Sequence, residues 1–135
     1  MKVLLLTSDS YGAVGGIALY NRDIIEALVA MPEVDEVVVL VRVMPFATTC
    51  VPSKVRLVVK SLGGKVRFIK EALRASTEGY GLVICGHIHL LPVAALVNQI
   101  IRAPLALMVY GIDVWQSPYR LARQCLQTVD AVWSI

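Results

Sequence analysis

The chain has 135 residues and a formal net charge of +3, with 57% hydrophobic and 17% charged residues. One domain fits that length. A charged fraction below the ~25% of an average soluble domain leaves two readings, a membrane protein or a sheet whose strands are buried on both faces.

The opening Met1–Leu6 has a basic start, but its apolar run stops at Thr7, short of the ~7–15 residues of a secretory core. Val3–Thr7 is instead the first expected strand. The loop Ser8–Gly15 follows, and then Ile17, Tyr20, Ile24, Leu28 and Met31 recur at three- and four-residue steps. That spacing predicts a helix with Asn21, Arg22 and Glu26 on its other side, ended by Pro32.

Val37–Val41 is β-branched and aliphatic without polar alternation, as expected of a strand covered on both faces. Val43–Ser53 reads as an irregular loop and Val55–Val59 as a third strand. Gly63-Gly64 then breaks the chain before a helix from Lys65 to Ser76. Between Lys54 and Arg74 stand Lys54, Arg56, Lys60, Lys65, Arg67, Lys70 and Arg74 against the single acid Glu71, seven of the chain's 13 basic residues.

Leu82–Tyr110 carries Arg102 as its only formal charge, yet Gly86, His87, His89, Pro92, Asn98, Gln99 and Pro104 punctuate it. A bilayer span wants ~20 predominantly apolar residues, so no transmembrane helix is expected there. The segment divides into a fourth strand, Leu82–Cys85, a loop Gly86–Leu90, a helix from Pro92 to Arg102 and a fifth strand, Leu105–Val109. Tyr110–Ser117 reads as a loop, Pro118–Gln127 as a helix and Ala131–Ile135 as a sixth strand.

Strands alternating with helices predict an α/β fold: a three-layer, Rossmann-like parallel sheet with helices on both faces. A sixth strand at the end of the chain leads to the expectation that residues 1–135 form a domain truncated at its carboxyl end. Cys50, Cys85 and Cys125 are odd in number and lack any spacing for a shared metal, which fits a reducing cytoplasm.

In open parallel sheets ligands gather at the carboxyl ends of the strands, and three loops there carry candidate chemistry. The first, Ser8 to Gly16, opens onto the first helix with Gly15 and Gly16 adjacent. A helix start offers unpaired N–H groups to a phosphate. The same glycines also suit a tight bend with no ligand. The spacing is neither GxGxxG nor GxxxxGK[ST], and Arg42 stands where a ribose-binding acid would end the second strand.

In the second loop, Cys85 to Leu90, His87 and His89 have no nearby acid or thiol in a ligand spacing except Cys85, which the strand is expected to bury. No metal is expected. The histidines read either as polar groups of an acceptor pocket or as structural hydrogen-bonding residues. The third loop, Tyr110 to Gln116, sets Asp113 between aromatics. This arrangement suits a sugar, whose faces stack on rings while its hydroxyls donate to a carboxylate. Asp113 suits a helix cap equally well.

Taken together, "GGIALYNRDIIEAL", "CGHIHLLPVA" and "VYGIDVW" resemble segments of the group 1 (family 4) glycosyltransferases. These are retaining enzymes of two-lobed GT-B architecture, associated with polysaccharide biosynthesis. The resemblance spans nearly the whole chain. It implies the amino-terminal, acceptor-side lobe of an enzyme that transfers sugar from a nucleotide-diphosphate sugar to a glycan or lipid-linked acceptor, with no metal. By the same resemblance Gly15 and Gly16 approach the donor pyrophosphate, and His87, His89, Tyr110 and Asp113 line the acceptor side. Position 110, commonly histidine in the family, is tyrosine here, so no catalytic residue is assigned.

The family's paired glutamates and its basic diphosphate-binding residues belong to the missing carboxyl-terminal lobe. Those groups stabilise leaving-group charge, and without them the chain alone is expected not to turn over. Lys65, Arg67, Lys70 and Arg74 beside Val66, Phe68 and Ile69 match either a helix resting on anionic lipid or a solvated basic face. The first option goes with a cytoplasmic protein peripheral to the inner face of the membrane. No recognition motif accompanies these charges, so nucleic acid is not an expected partner. A flavodoxin-like nucleotide- or flavin-binding domain and a non-catalytic docking module are the alternatives.

Overall fold

The computed structural model describes residues 1–48 and 50–134. Six strands, β1 (Lys2–Thr7), β2 (Glu36–Val41), β3 (Val55–Val58), β4 (Leu82–Cys85), β5 (Leu105–Val109) and β6 (Ala131–Ser134), form one sheet. All are parallel, in the order β3-β2-β1-β4-β5-β6. This is the Rossmann order, not the 2-1-3-4-5 of flavodoxin-like sheets. Ile135, expected to close the sixth strand, lies outside the described residues.

Helix α1 (Gly16–Ala30) covers one face, while α2 (Lys65–Ala75), α3 (Leu91–Ile101) and α5 (Arg120–Cys125) cover the other. The alternation of side chains along each strand divides the core accordingly. Leu4, Leu6, Val83 and Cys85 meet Phe68, Ala72, Leu91 and Ala122, whereas Val3, Leu5, Val39 and Ile84 meet Ile25 and Leu28. Strands buried on two sides must be apolar at every position, which accounts for the high hydrophobic content. Among the described residues no helix is long and apolar enough to cross a membrane.

Three expectations are corrected. The segment 110–117 is not all loop, because a short helix, α4 (Gly111–Val114), follows β5. The helix expected from Pro118 begins only at Arg120. Tyr119 keeps an extended backbone, and its hydroxyl donates to the His89 carbonyl at 3.1 Å, which ties it to the neighbouring loop. Asn21, expected on the solvent side of its helix, is fully buried.

The basic stretch is also divided by the fold. Lys54 Nζ donates to the carbonyls of Val29 (3.2 Å) and Val34 (2.9 Å), at and just beyond the carboxyl end of α1, where a cation meets the helix dipole. Arg56 joins a network at the amino rim of the sheet. Lys2 Nζ lies 3.1 Å from Glu36 and 2.7 Å from Glu78, Arg56 Nε lies 2.9 Å from Glu36, and Arg56 also pairs with Glu78. The bond from Lys2 holds the Glu78 carboxyl below its ordinary 4.5, with partial burial opposing it and Arg56 adding to it. At Glu36 burial pushes upward, but the hydrogen bonds from Arg56 and Lys2 prevail and the net shift is down.

Carboxyls depressed in this way contribute stability above their unfolded value, and lose it as the pH falls through the folded one. Glu78→Gln is therefore expected to cost about 1 kcal/mol at pH 7. The difference in urea midpoint from the native chain should shrink as the pH falls below the ordinary 4.5 of the carboxyl, and shrink in high salt. An unchanged gap at pH 3 would mean that the charge of Glu78 is not what matters.

Candidate functional site

Strands β1 and β4 lie side by side at the centre of the sheet, yet the chain leaves them in opposite directions, and this switch point is where such sheets form crevices. Two glycines shape it. Gly86 follows β4 so closely on β1 that a Cβ there would stand 3.0 Å from the Leu6 carbonyl oxygen, which instead accepts from the Gly86 N–H at 2.7 Å. Gly15 precedes α1 with φ of +133°, a backbone that side chains rarely adopt.

Gly15 and Gly16 are exposed at the carboxyl rim, and a Cβ on either would meet nothing within 4 Å. Among the described residues no side chain caps the helix, and no acid lies in its first turn. The head of α1 is thus exposed at Gly15 and Gly16, with Ile17 half-buried, Ala18 buried and the helix dipole behind them.

The other predicted residues gather across the switch point. The His87 and His89 rings stack with centroids 4.9 Å apart, and His87 lies 6.2 Å from Tyr110. Both nitrogens of His87 face protein groups. Nδ1 accepts from the His89 backbone N–H at 3.2 Å, so a neutral ring carries its proton on Nε2, 3.6 Å from Asp113 Oδ1. Burial holds His87 below its ordinary value, against the opposite pull of Asp113 and Asp9. It is thus a neutral strut between the two loops. Asp113 Oδ2 also faces the Tyr110 backbone N–H at 3.4 Å, as an N-terminal helical carboxylate should.

Tyr110 is buried, and its hydroxyl donates to Asn21 Oδ1 at 3.0 Å. Asn21 Nδ2 in turn donates to Thr7 Oγ1 (2.7 Å) and to the Asp9 carbonyl (2.8 Å). One side chain thereby joins β1, the glycine loop, α1 and the end of β5. Burial, then the charges of Asp9, Tyr20 and Asp113, push the Tyr110 phenol up to about 12, so it stays protonated as a donor. Cys85 is fully buried and likewise pushed up to about 12 by burial, with its thiol donating to the His87 carbonyl at 3.1 Å. It is not a nucleophile at neutral pH.

No protein-family model matches this chain, and no curated protein matches it in sequence. What the site can do is therefore argued from its residues. His89 and Asp113 reach open space: with Ile112, Gln116, Ser117 and Tyr119 they line a pocket of about 440 Å³. Tyr110 is buried behind them, and His87 is half-buried beside Asp113. The glycine pair belongs to the same rim without touching these residues, and is joined to them through α1 by Asn21.

Tyr119, absent from the sequence-based candidates, stacks on His89 at 5.7 Å with ring planes 17° apart. Arg123 Nη2 holds the preceding loop by donating to Ser117 Oγ at 2.7 Å. The available signal was an aromatic directly after Pro118, assigned to the helix that begins one residue later. Asp9, whose charge reaches both His87 and Tyr110, had no signal beyond its place in a glycine-containing loop.

Proposed function

We propose that this chain is the acceptor-side lobe of a retaining glycosyltransferase of two-lobed GT-B form. In this reading a second lobe presents a nucleotide-diphosphate sugar, and the acceptor hydroxyl lies against His89 and Asp113. The observation that carries it is the open head of α1: uncapped amides, exposed glycines and no acid, on the rim beside a pocket with one carboxylate and one imidazole. Backbone donors there suit a pyrophosphate, while Asp113, a carboxylate acceptor on a rigid helix start, suits a sugar hydroxyl.

The proposal carries with it a cytoplasmic location, peripheral to the inner face of the membrane. Exposed Lys65, Arg67, Lys70 and Arg74 around Val66, itself 80% exposed, support that contact.

Titration with GDP or UDP followed by amide NMR tests the reading. Gly16, Ile17 and Ala18 should show the largest shifts at millimolar nucleotide, and Gly16→Asp should abolish them by charge repulsion at the helix head. Shifts clustered elsewhere, or none at 10-fold molar excess, would remove the pyrophosphate role from the glycine pair.

A further inference from the structure

We propose that a second pocket, bounded by Arg42, Lys65 and His89 and continued by an apolar groove along α3, binds a single-chain amphiphile with a phosphate head. Only in naming this amphiphile as the sugar acceptor does the inference rest on the transferase reading. The site itself rests on geometry.

The pocket has a volume of about 510 Å³ and receives two cations and an imidazole from three separate segments. Arg42 follows directly on β2, Lys65 is the first residue of α2, and His89 lies in the turn before α3. No acid lines the pocket, and neither Arg42 nor Lys65 forms an ion pair among the described residues. Two cations and an imidazole donor around one space suit a phosphate monoester, which an arginine can bind through paired N–H groups.

The pocket does not end at these groups. Ile69, Pro92, Val93 and Leu121 line both it and an adjoining groove of about 360 Å³ that runs on to Leu96 and Gln99 and contains no charged residue. At 1.5 Å per residue, the stretch of α3 from Pro92 to Gln99 is about 10 Å long. Leu96 and Leu121 face solvent along it.

Charge stands at one end and hydrocarbon along the rest, so the complementary ligand has an anionic head and one apolar chain. A soluble sugar phosphate would leave the groove empty, and a neutral lipid would leave both cations without a counter-charge. His89 lines this pocket and the one that holds Asp113, so a head bound here sits beside the proposed transfer site.

Calorimetric titration with dodecyl phosphate below its critical micelle concentration tests the proposal, alongside dodecyl maltoside and inorganic phosphate. Saturable one-to-one binding is expected for dodecyl phosphate, at least tenfold tighter than for either comparison ligand. Both Arg42→Gln/Lys65→Gln and Leu121→Glu should weaken it at least tenfold, with urea midpoints near the native value.

Equal affinity for dodecyl maltoside, indifference to both variants, or no saturable binding would overturn it. So would retention on phosphatidylglycerol vesicles without dodecyl phosphate binding, which makes the basic residues a membrane contact only. Amphiphile binding without GDP shifts at Gly16–Ala18 would keep this site and discard the transferase reading. GDP shifts without amphiphile binding would do the reverse.

Discussion

Asn21→Leu is expected to lower the unfolding free energy by about 3 kcal/mol. Leucine is close in size and favours a helix, so packing and propensity change little. What changes is hydrogen bonding: the Tyr110 hydroxyl, Thr7 Oγ1 and the Asp9 carbonyl all lose a partner. Asn21 has no solvent exposure, and a buried polar group stripped of its partner costs about 1–3 kcal/mol. Thr7 Oγ1 retains its own bond to the Asp9 carbonyl at 3.1 Å, so the three losses do not add in full.

Urea unfolding measures the effect, and Tyr110→Phe separates it. Removing the hydroxyl alone leaves one acceptor of Asn21 unpaired and should cost about 1 kcal/mol. If Asn21→Leu proved neutral, the hub would contribute nothing net. The open helix head would then owe its position to apolar packing alone.

Phe68→Ala should cost about 4 kcal/mol, the range for deleting a large aromatic from a packed core. Phe68 is the largest fully buried side chain, on the face where α2 meets Leu40, Leu90 and Leu91. It also forms part of the floor of the Arg42–Lys65–His89 pocket. Phe68→Leu keeps most of the volume and should cost less than half as much. Equal urea midpoints for the alanine variant and the native chain would mean that α2 is not held by this contact. The basic face it carries would then lack a fixed position.

The site was only partly legible in the sequence. The position of Gly15 and Gly16 at the carboxyl rim was readable because the pair stands between an apolar run of strand length and an amphipathic helix. The His87–His89 and Asp113 loops were placed at the correct rim for the same reason: each follows an apolar run of strand length. Their division of labour was not readable. Tyr110 lies behind the surface, whereas His89 and Asp113 line the pocket, and nothing in the spacing of two histidines says which ring nitrogen of His87 meets a backbone amide.

Asn21 is the most instructive case. It stands four residues after Ile17 and four before Ile25, so its spacing belongs to the buried face of α1, but its polarity assigned it to solvent. The choice was settled by Tyr110, 89 residues away, and by two groups of the first loop. A buried amide is tolerable only if all its partners arrive together, which no local window can reveal.

By itself the chain's pattern determined the α/β class, the six parallel strands and the rim at which three loops meet, because burial of β1, β2, β4 and β5 on two faces demands uninterrupted apolar runs whatever the distant contacts are. Tertiary structure alone decided the strand order, the separation of structural cations such as Lys54 and Arg56 from those without an ion pair among the described residues, such as Arg42 and Lys65, and the pocket that Tyr119 closes. Those features depend on groups far apart in sequence meeting within a few ångströms, and distance in space is not written in residue spacing.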